Sequence, residues 1–211
     1  MKTEQLIQAL AQGAGPVRGA PVARRLAPAL LTAGASAVAL ALAFAPMVGI
    51  ALMQTPGWLL KFGYSAALVL VGCAAVAALG RPAAPLKRPA AALALVVALM
   101  LGLGLSEMVS VAPDQRLALW LGHSAADCPY RVFGLSLPAL AGALWALKGL
   151  APTRQRLAGF AAGLVAGGVG ATAYALTCTE VAMSFVATWY TLGIVAAGLL
   201  GAVLGPRVLR W

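Results

Sequence analysis

Two of the three cysteines, Cys128 and Cys178, flank a pair of apolar segments joined by a short basic turn from Lys148 to Arg156. Two helices folded back on that turn bring both thiols to the same depth at the far end. In an oxidising compartment such a pair forms a disulfide if the Cα atoms come within about 7 Å, or holds a soft metal ion such as Cu(I) as thiolates. The plainer alternative is two unrelated small residues at helix ends. His123, the only histidine, lies five residues before Cys128 and offers a third ligand, with Asp127, Glu180, Met108 and Met183 as weaker donors. A lone loop histidine is otherwise ordinary polar surface. Cys73, in the middle of an apolar run, reads as an inert small hydrophobe.

No phosphate-binding glycine loop, HExxH, CxxC, GxSxG or pair of catalytic carboxylates is present, so no residue is assigned a catalytic role and no permanent cofactor is expected. Glu107 and Glu180 sit near the ends of apolar segments, where solvation or pairing with Arg131 or Arg116 is favoured over lining a solute path. With no acid at the middle of a segment, proton-coupled transport is disfavoured.

The elements that must position these residues follow from composition. The chain is 62% hydrophobic and 9% charged, with a mean hydropathy of +0.93, too few polar residues to cover a water-soluble surface. Six apolar segments approach the length needed to cross a hydrocarbon core of about 30 Å: Leu26 to Met53, Phe62 to Leu79, Ala90 to Val111, Val132 to Leu147, Leu157 to Leu176 and Val181 to Leu204. The predicted fold class is therefore all-α, a polytopic bundle of about six transmembrane helices. Pro46 in the overlong first segment and Pro138 in the fourth predict kinks.

The net charge of +10 does not signal nucleic acid, because the basic residues lie in short segments between the apolar runs. Twelve of the fifteen, among them Lys2, Arg18, Arg24, Arg25, Arg81, Lys87, Arg88 and Lys148, fall on one side, and only Lys61, Arg116 and Arg131 on the other. That bias places both termini in the cytoplasm and Cys128 and Cys178 on the periplasmic face of a bacterial inner membrane. The domains read as a cytoplasmic segment over 1–25, a membrane domain over 26–206 with an outer loop at 112–131, and a cytoplasmic tail over 207–211. In the outer loop, Leu117, Trp120 and Leu121 have the spacing of a short interfacial helix.

The opening segment has Thr3 as a helix cap, Glu4 beside the helix start, and Leu6, Ile7 and Leu10 as an apolar stripe, before Gly13, Gly15, Pro16 and Pro21 break the pattern. Gly159, Gly163 and Gly167 repeat every four residues, as do Gly201 and Gly205, which predicts close helix packing.

The run Gly122-His123-Ser124-Ala125-Ala126-Asp127-Cys128-Pro129-Tyr130-Arg131, then Ser136 to Leu140, Leu144 to Lys148, Cys178-Thr179-Glu180, Phe185 to Ile194 and Leu204 to Trp211, resembles the NrsF family, negative regulators of sigma F. The resemblance extends over nearly the whole chain. It implies a six-span anti-sigma factor that holds an extracytoplasmic-function (ECF) sigma factor through its N-terminal segment. It also implies release of that factor when Cys128 and Cys178 meet a thiophilic metal, copper being favoured, or oxidative stress. Thr179 departs from the proline that commonly follows the second cysteine. Two other readings of the residues are a quinone-linked membrane thiol oxidoreductase, which normally needs a second redox pair, and a small-solute or metal permease.

Overall fold

The computed structural model describes residues 3–13, 21–81, 85–150 and 152–210. It is all helical, with no strand among the described residues. Helix α1 (Thr3–Gly13) precedes α2 (Pro21–Phe44), a short α3 (Ile50–Met53), α4 (Pro56–Leu79), α5 (Lys87–Ser110), α6 (Pro113–Leu121), α7 (Cys128–Lys148) and α8 (Gln155–Ala175). A single turn, α9 (Met183–Phe185), then runs through a π-helical turn at Val186–Tyr190 into α10 (Thr191–Val208). Six helices are long and apolar enough to cross a membrane: 23–44, α4, α5, α7, α8 and the continuous stretch 183–208. This is the expected number.

Their depth in the bundle follows from side-chain size. Helix α8 is built largely of Gly and Ala, so neighbouring backbones approach it from several sides; it packs against α10, α7, α4 and α2 and is the most buried of the six. Helix α5 is rich in leucine and is the least buried of the six, with Leu95, Leu99 and Leu105 exposed on the outside of the bundle. The predicted glycine seam forms between α8 and α10. A Cβ on Gly159 would fall on the Gly201 carbonyl, one on Gly163 on the Ala197 carbonyl, and one on Gly167 within 2.8 Å of the Ile194 Cα.

Three boundaries differ from expectation. The first span ends at Phe44 rather than Met53, because Pro46 stops α2 instead of kinking it, and the chain bends before α3. Pro21 lies within α2 rather than outside it, so this helix starts before Leu26. Helix α4 begins at Pro56, six residues before the expected Phe62, with Thr55 Oγ1 accepting from the Trp58 N–H at 3.3 Å. Pro138 is accommodated inside an unbroken α7. Thr3 is helical in α1; Lys2, Gly15, Pro16, Arg18 and Trp211 lie outside the described residues.

Candidate functional site

Cys128 is the first residue of α7, and its N–H donates to the Ser124 carbonyl at 2.8 Å. Cys178 follows the end of α8, where a closing turn lets its N–H donate to the Tyr174 carbonyl at 3.0 Å. The antiparallel α7–α8 pair brings both into one buried cluster with Val132, Tyr174, Met183 and Tyr190. Cys128 is fully buried and Cys178 is 4% exposed; both carry free thiols, each within electrostatic range of the other. Cys73 lies partly buried on α4, packed against a different cluster of the bundle.

The loop carrying Cys178 is gripped by the start of α4. The Trp58 indole N–H donates to the Ala175 carbonyl at 2.9 Å, and Gly57 sits so close to Val181 that a Cβ there would come within 2.9 Å of its carbonyl oxygen. One turn on, Lys61 is 0% exposed, and its Nζ donates to the carbonyls of Cys178 and Glu180, both at 2.7 Å. The ammonium lies 5.8 Å from the centre of the Tyr190 ring and within electrostatic range of both thiols. The Tyr190 hydroxyl is buried beside Cys178, and no nitrogen or oxygen among the described residues hydrogen-bonds it.

A second tie joins the two cysteine-bearing loops. Glu180 Oε1 accepts from the His123 N–H at 2.7 Å, and Gly122, at φ +51°, approaches the Glu180 carboxylate so closely that a Cβ would fall 2.7 Å from it. The positive-φ backbone favours glycine there, and a side chain would have to displace the Glu180 carboxylate. The π turn supports the same end of the bundle. Trp189 Nε1 donates to the Trp120 carbonyl at 2.8 Å, and Trp120 Nε1 donates to Thr188 Oγ1 at 3.0 Å, which anchors the predicted loop helix α6 to the protein.

Some expected partnerships are replaced. Glu180 meets His123 rather than an arginine, and Glu107 Oε2 accepts from the Ser184 N–H and hydroxyl at 2.8 and 2.9 Å. A local N–H was available to each carboxylate without ordering a long arginine side chain. The His123 imidazole is 99% exposed, with Nδ1 3.5 Å from Glu180 Oε1, so it points away from the buried thiols. Among the described residues no three His, Cys, Asp or Glu side chains gather as a metal site. That donor set does not fit a four-coordinate zinc centre.

A cavity of about 480 Å³ opens between α2, α7 and α8, lined by Phe44, Arg131, Leu135 and Tyr174 among others; Tyr174 and Leu135 are also members of the thiol cluster. The sequence reading missed Lys61, Tyr190 and Trp58. A lysine at the edge of an apolar segment was the available signal, because an ionisable group inside a span needs a partner. Starting the second span at Phe62 put Lys61 in a loop and hid it.

At the other end of the chain, Thr3, Glu4, Leu6, Ile7 and Leu10 are all exposed along α1, with Ile7 at 60% and Leu10 at 67%. The apolar stripe is uncovered.

The family model for negative regulators of sigma F, NrsF, matches residues 10–211. The chain belongs to the NrsF family. Two curated NrsF proteins align over the whole of both chains. The probable anti-sigma-F factor NrsF of Azospira oryzae is 40% identical over 214 residues, and the anti-sigma-F factor NrsF of Caulobacter vibrioides is 41% identical over 216 residues. No solved structure matches. NrsF is a family of regulators, not of enzymes, and the thiol oxidoreductase reading falls with that.

Proposed function

We propose that this protein is a membrane anti-sigma factor that sequesters an ECF sigma factor of the sigma F type on α1 and releases it when Cys128 and Cys178 react. The observation that carries this is the full-length similarity to two anti-sigma-F factors. The basic bias supports an inner-membrane orientation with α1 in the cytoplasm and the thiols facing the periplasm. A periplasm-dependent reporter inserted in α6 should be active, and one fused after Val208 inactive; the reverse pattern would overturn the orientation.

The exposed stripe of Leu6, Ile7 and Leu10 suits an amphipathic helix lying in an apolar groove of the partner. Thr3 and Glu4 flank the stripe at the helix start. The signal is a thiophilic metal ion, Cu(I) in the first place, or a two-electron oxidant such as a peroxide that joins the thiols as a disulfide. Either bridges α7 to the loop after α8, and only a signal that favours one arrangement of these elements shifts the equilibrium toward release. Helix α2 packs on both α7 and α8 and continues the chain from α1, so a shift of that pair reaches the sigma-binding segment.

The test is Leu6→Asp with Leu10→Asp. Two buried charges in an apolar groove are expected to release the sigma factor constitutively, with expression of its targets high without any signal and the protein still inserted in the membrane. Unchanged repression by the inserted double variant would sink the α1 assignment.

A further inference from the structure

The cavity between α2, α7 and α8 has an apolar body and a polar mouth. Leu40 and Leu135 give it apolar walls, Phe44 is 81% exposed at its edge, and Tyr174, 4% exposed, lines its depth. Arg131 and Thr177 line it too, at the end of the bundle that carries the thiols: Arg131 is one turn into α7, and Thr177 lies just past α8. At about 480 Å³ the space is of the size of a small-molecule site. Apolar walls that open on the outside of a membrane bundle take up hydrocarbon rather than water.

The mouth adds a directional donor. Arg131 is exposed, and among the described residues no carboxylate comes within ion-pair distance of it; Glu180 turns its carboxylate to His123. Asp127, one turn earlier, takes the Arg131 N–H on its carbonyl, and its carboxylate makes no ion pair with the guanidinium. No protein acceptor among the described residues takes a hydrogen bond from that guanidinium.

We infer that the cavity is a binding site for one anionic phospholipid, with an acyl chain lying between α2 and α7 and the headgroup phosphate held by the Arg131 guanidinium. The guanidinium fork presents parallel N–H donors that match a phosphate. Thr177 Oγ1 donates to the Tyr174 carbonyl at 3.2 Å and remains an acceptor for a headgroup hydroxyl. An amphiphile answers both ends of the site: free phosphate would leave the apolar walls unfilled, and a neutral lipid would leave the guanidinium without a partner. The site goes beyond the thiol reading and does not depend on it. Its position ties it to that chemistry all the same, because α2 continues the chain from α1, α7 begins at Cys128, and Tyr174 belongs to the thiol cluster. A lipid seated there touches the elements that carry both the exposed N-terminal helix and the thiols.

The full-length protein in detergent is titrated with phosphatidylglycerol and with phosphatidylethanolamine of matched chains, and bound lipid is counted by native mass spectrometry. The parent is expected to retain one phosphatidylglycerol in preference to phosphatidylethanolamine, whose ammonium offsets its own phosphate. Arg131→Gln should lower the phosphatidylglycerol affinity about tenfold, the scale of one hydrogen bond to a charged group, and bring the two lipids level. Arg116→Gln is the control: on α6, with its Nε donating to the Val111 carbonyl at 3.1 Å, it should leave the preference intact. Gly134 lines the cavity and an added Cβ there meets nothing within 4 Å, so Gly134→Leu fills the space without a backbone clash and should expel the lipid. No preference in the parent, or equal losses in Arg116→Gln and Arg131→Gln, would mean lipid attracted by overall charge and would overturn the inference. Undiminished retention by Gly134→Leu would place the lipid outside the cavity and overturn it equally. If Arg131→Gln does not yield monodisperse protein, Gly134→Leu decides the matter.

Discussion

Cys178→Ser is expected to abolish induction of the sigma factor's targets by copper as completely as Cys128→Ser, with the double variant no worse than either. The two thiols occupy one buried cluster, and a bridge, whether a metal or a disulfide, needs both ends. Removing one sulfur leaves the other without a partner, so the second substitution has nothing further to remove; groups that act as a unit are non-additive. Cys73→Ser, on α4 in a different cluster, should respond normally. His123→Ala should also respond nearly normally, because Glu180 holds that loop chiefly through the His123 backbone N–H, which alanine keeps. Reporter expression across a copper series checks all five variants. Full induction in both single cysteine variants would refute the paired-thiol mechanism.

Gly163→Val is expected to have the largest effect on stability. The first atom of any side chain at this position overlaps the Ala197 carbonyl and comes within 2.7 Å of the Gly198 Cα, and both are backbone that no rotamer change can move. The helices must separate, which strips contacts from a seam where no hydrophobic force draws helices together. Overpacking costs about 1–3 kcal/mol, and a clash with immovable backbone falls at the upper end of that range. Gly134→Ala is the matched control: nothing lies within 4 Å of its added methyl, so it should be neutral or slightly stabilising. Unfolding followed in detergent compares the two directly, and equal stability for both variants would mean that α8 and α10 are not in the contact described.

The parts of this architecture that sequence reasoning reached are those that repeat or accumulate along the chain. Six spans follow from summed hydropathy, and the α8–α10 seam from glycines at a helical interval, because each is a property of many residues at once. The proximity of Cys128 and Cys178 was reachable for a related reason: an antiparallel pair of similar helices matches depth at its open end. What failed depended on a single residue or on a contact distant in sequence. Pro46 ends a helix in one context while Pro138 is absorbed in another, and hydropathy does not distinguish them. Charge alone leaves the carboxylates of Glu107 and Glu180 solvated or paired with an arginine, whereas the fold presents N–H donors from Ser184 and His123. Lys61 was hidden because apolar averaging trims a span at its first charge, even where the helix itself continues past it.

The distance between Lys61 and its acceptors along the chain sets an order of events during synthesis. Its two carbonyls belong to residues 117 and 119 positions downstream, so when α4 enters the bilayer the lysine has no partner. A lysine at the middle of a span costs about 2.5–3.5 kcal/mol on insertion, and near a helix end its long stem lets the ammonium reach the interface instead. The side chain must wait there until the loop after α8 emerges. At roughly 5–20 residues per second that interval is on the order of ten seconds. Burial of Lys61 is thus a late event in biogenesis, closing the pocket around the two cysteines only after the last hairpin of the bundle has been delivered to the membrane.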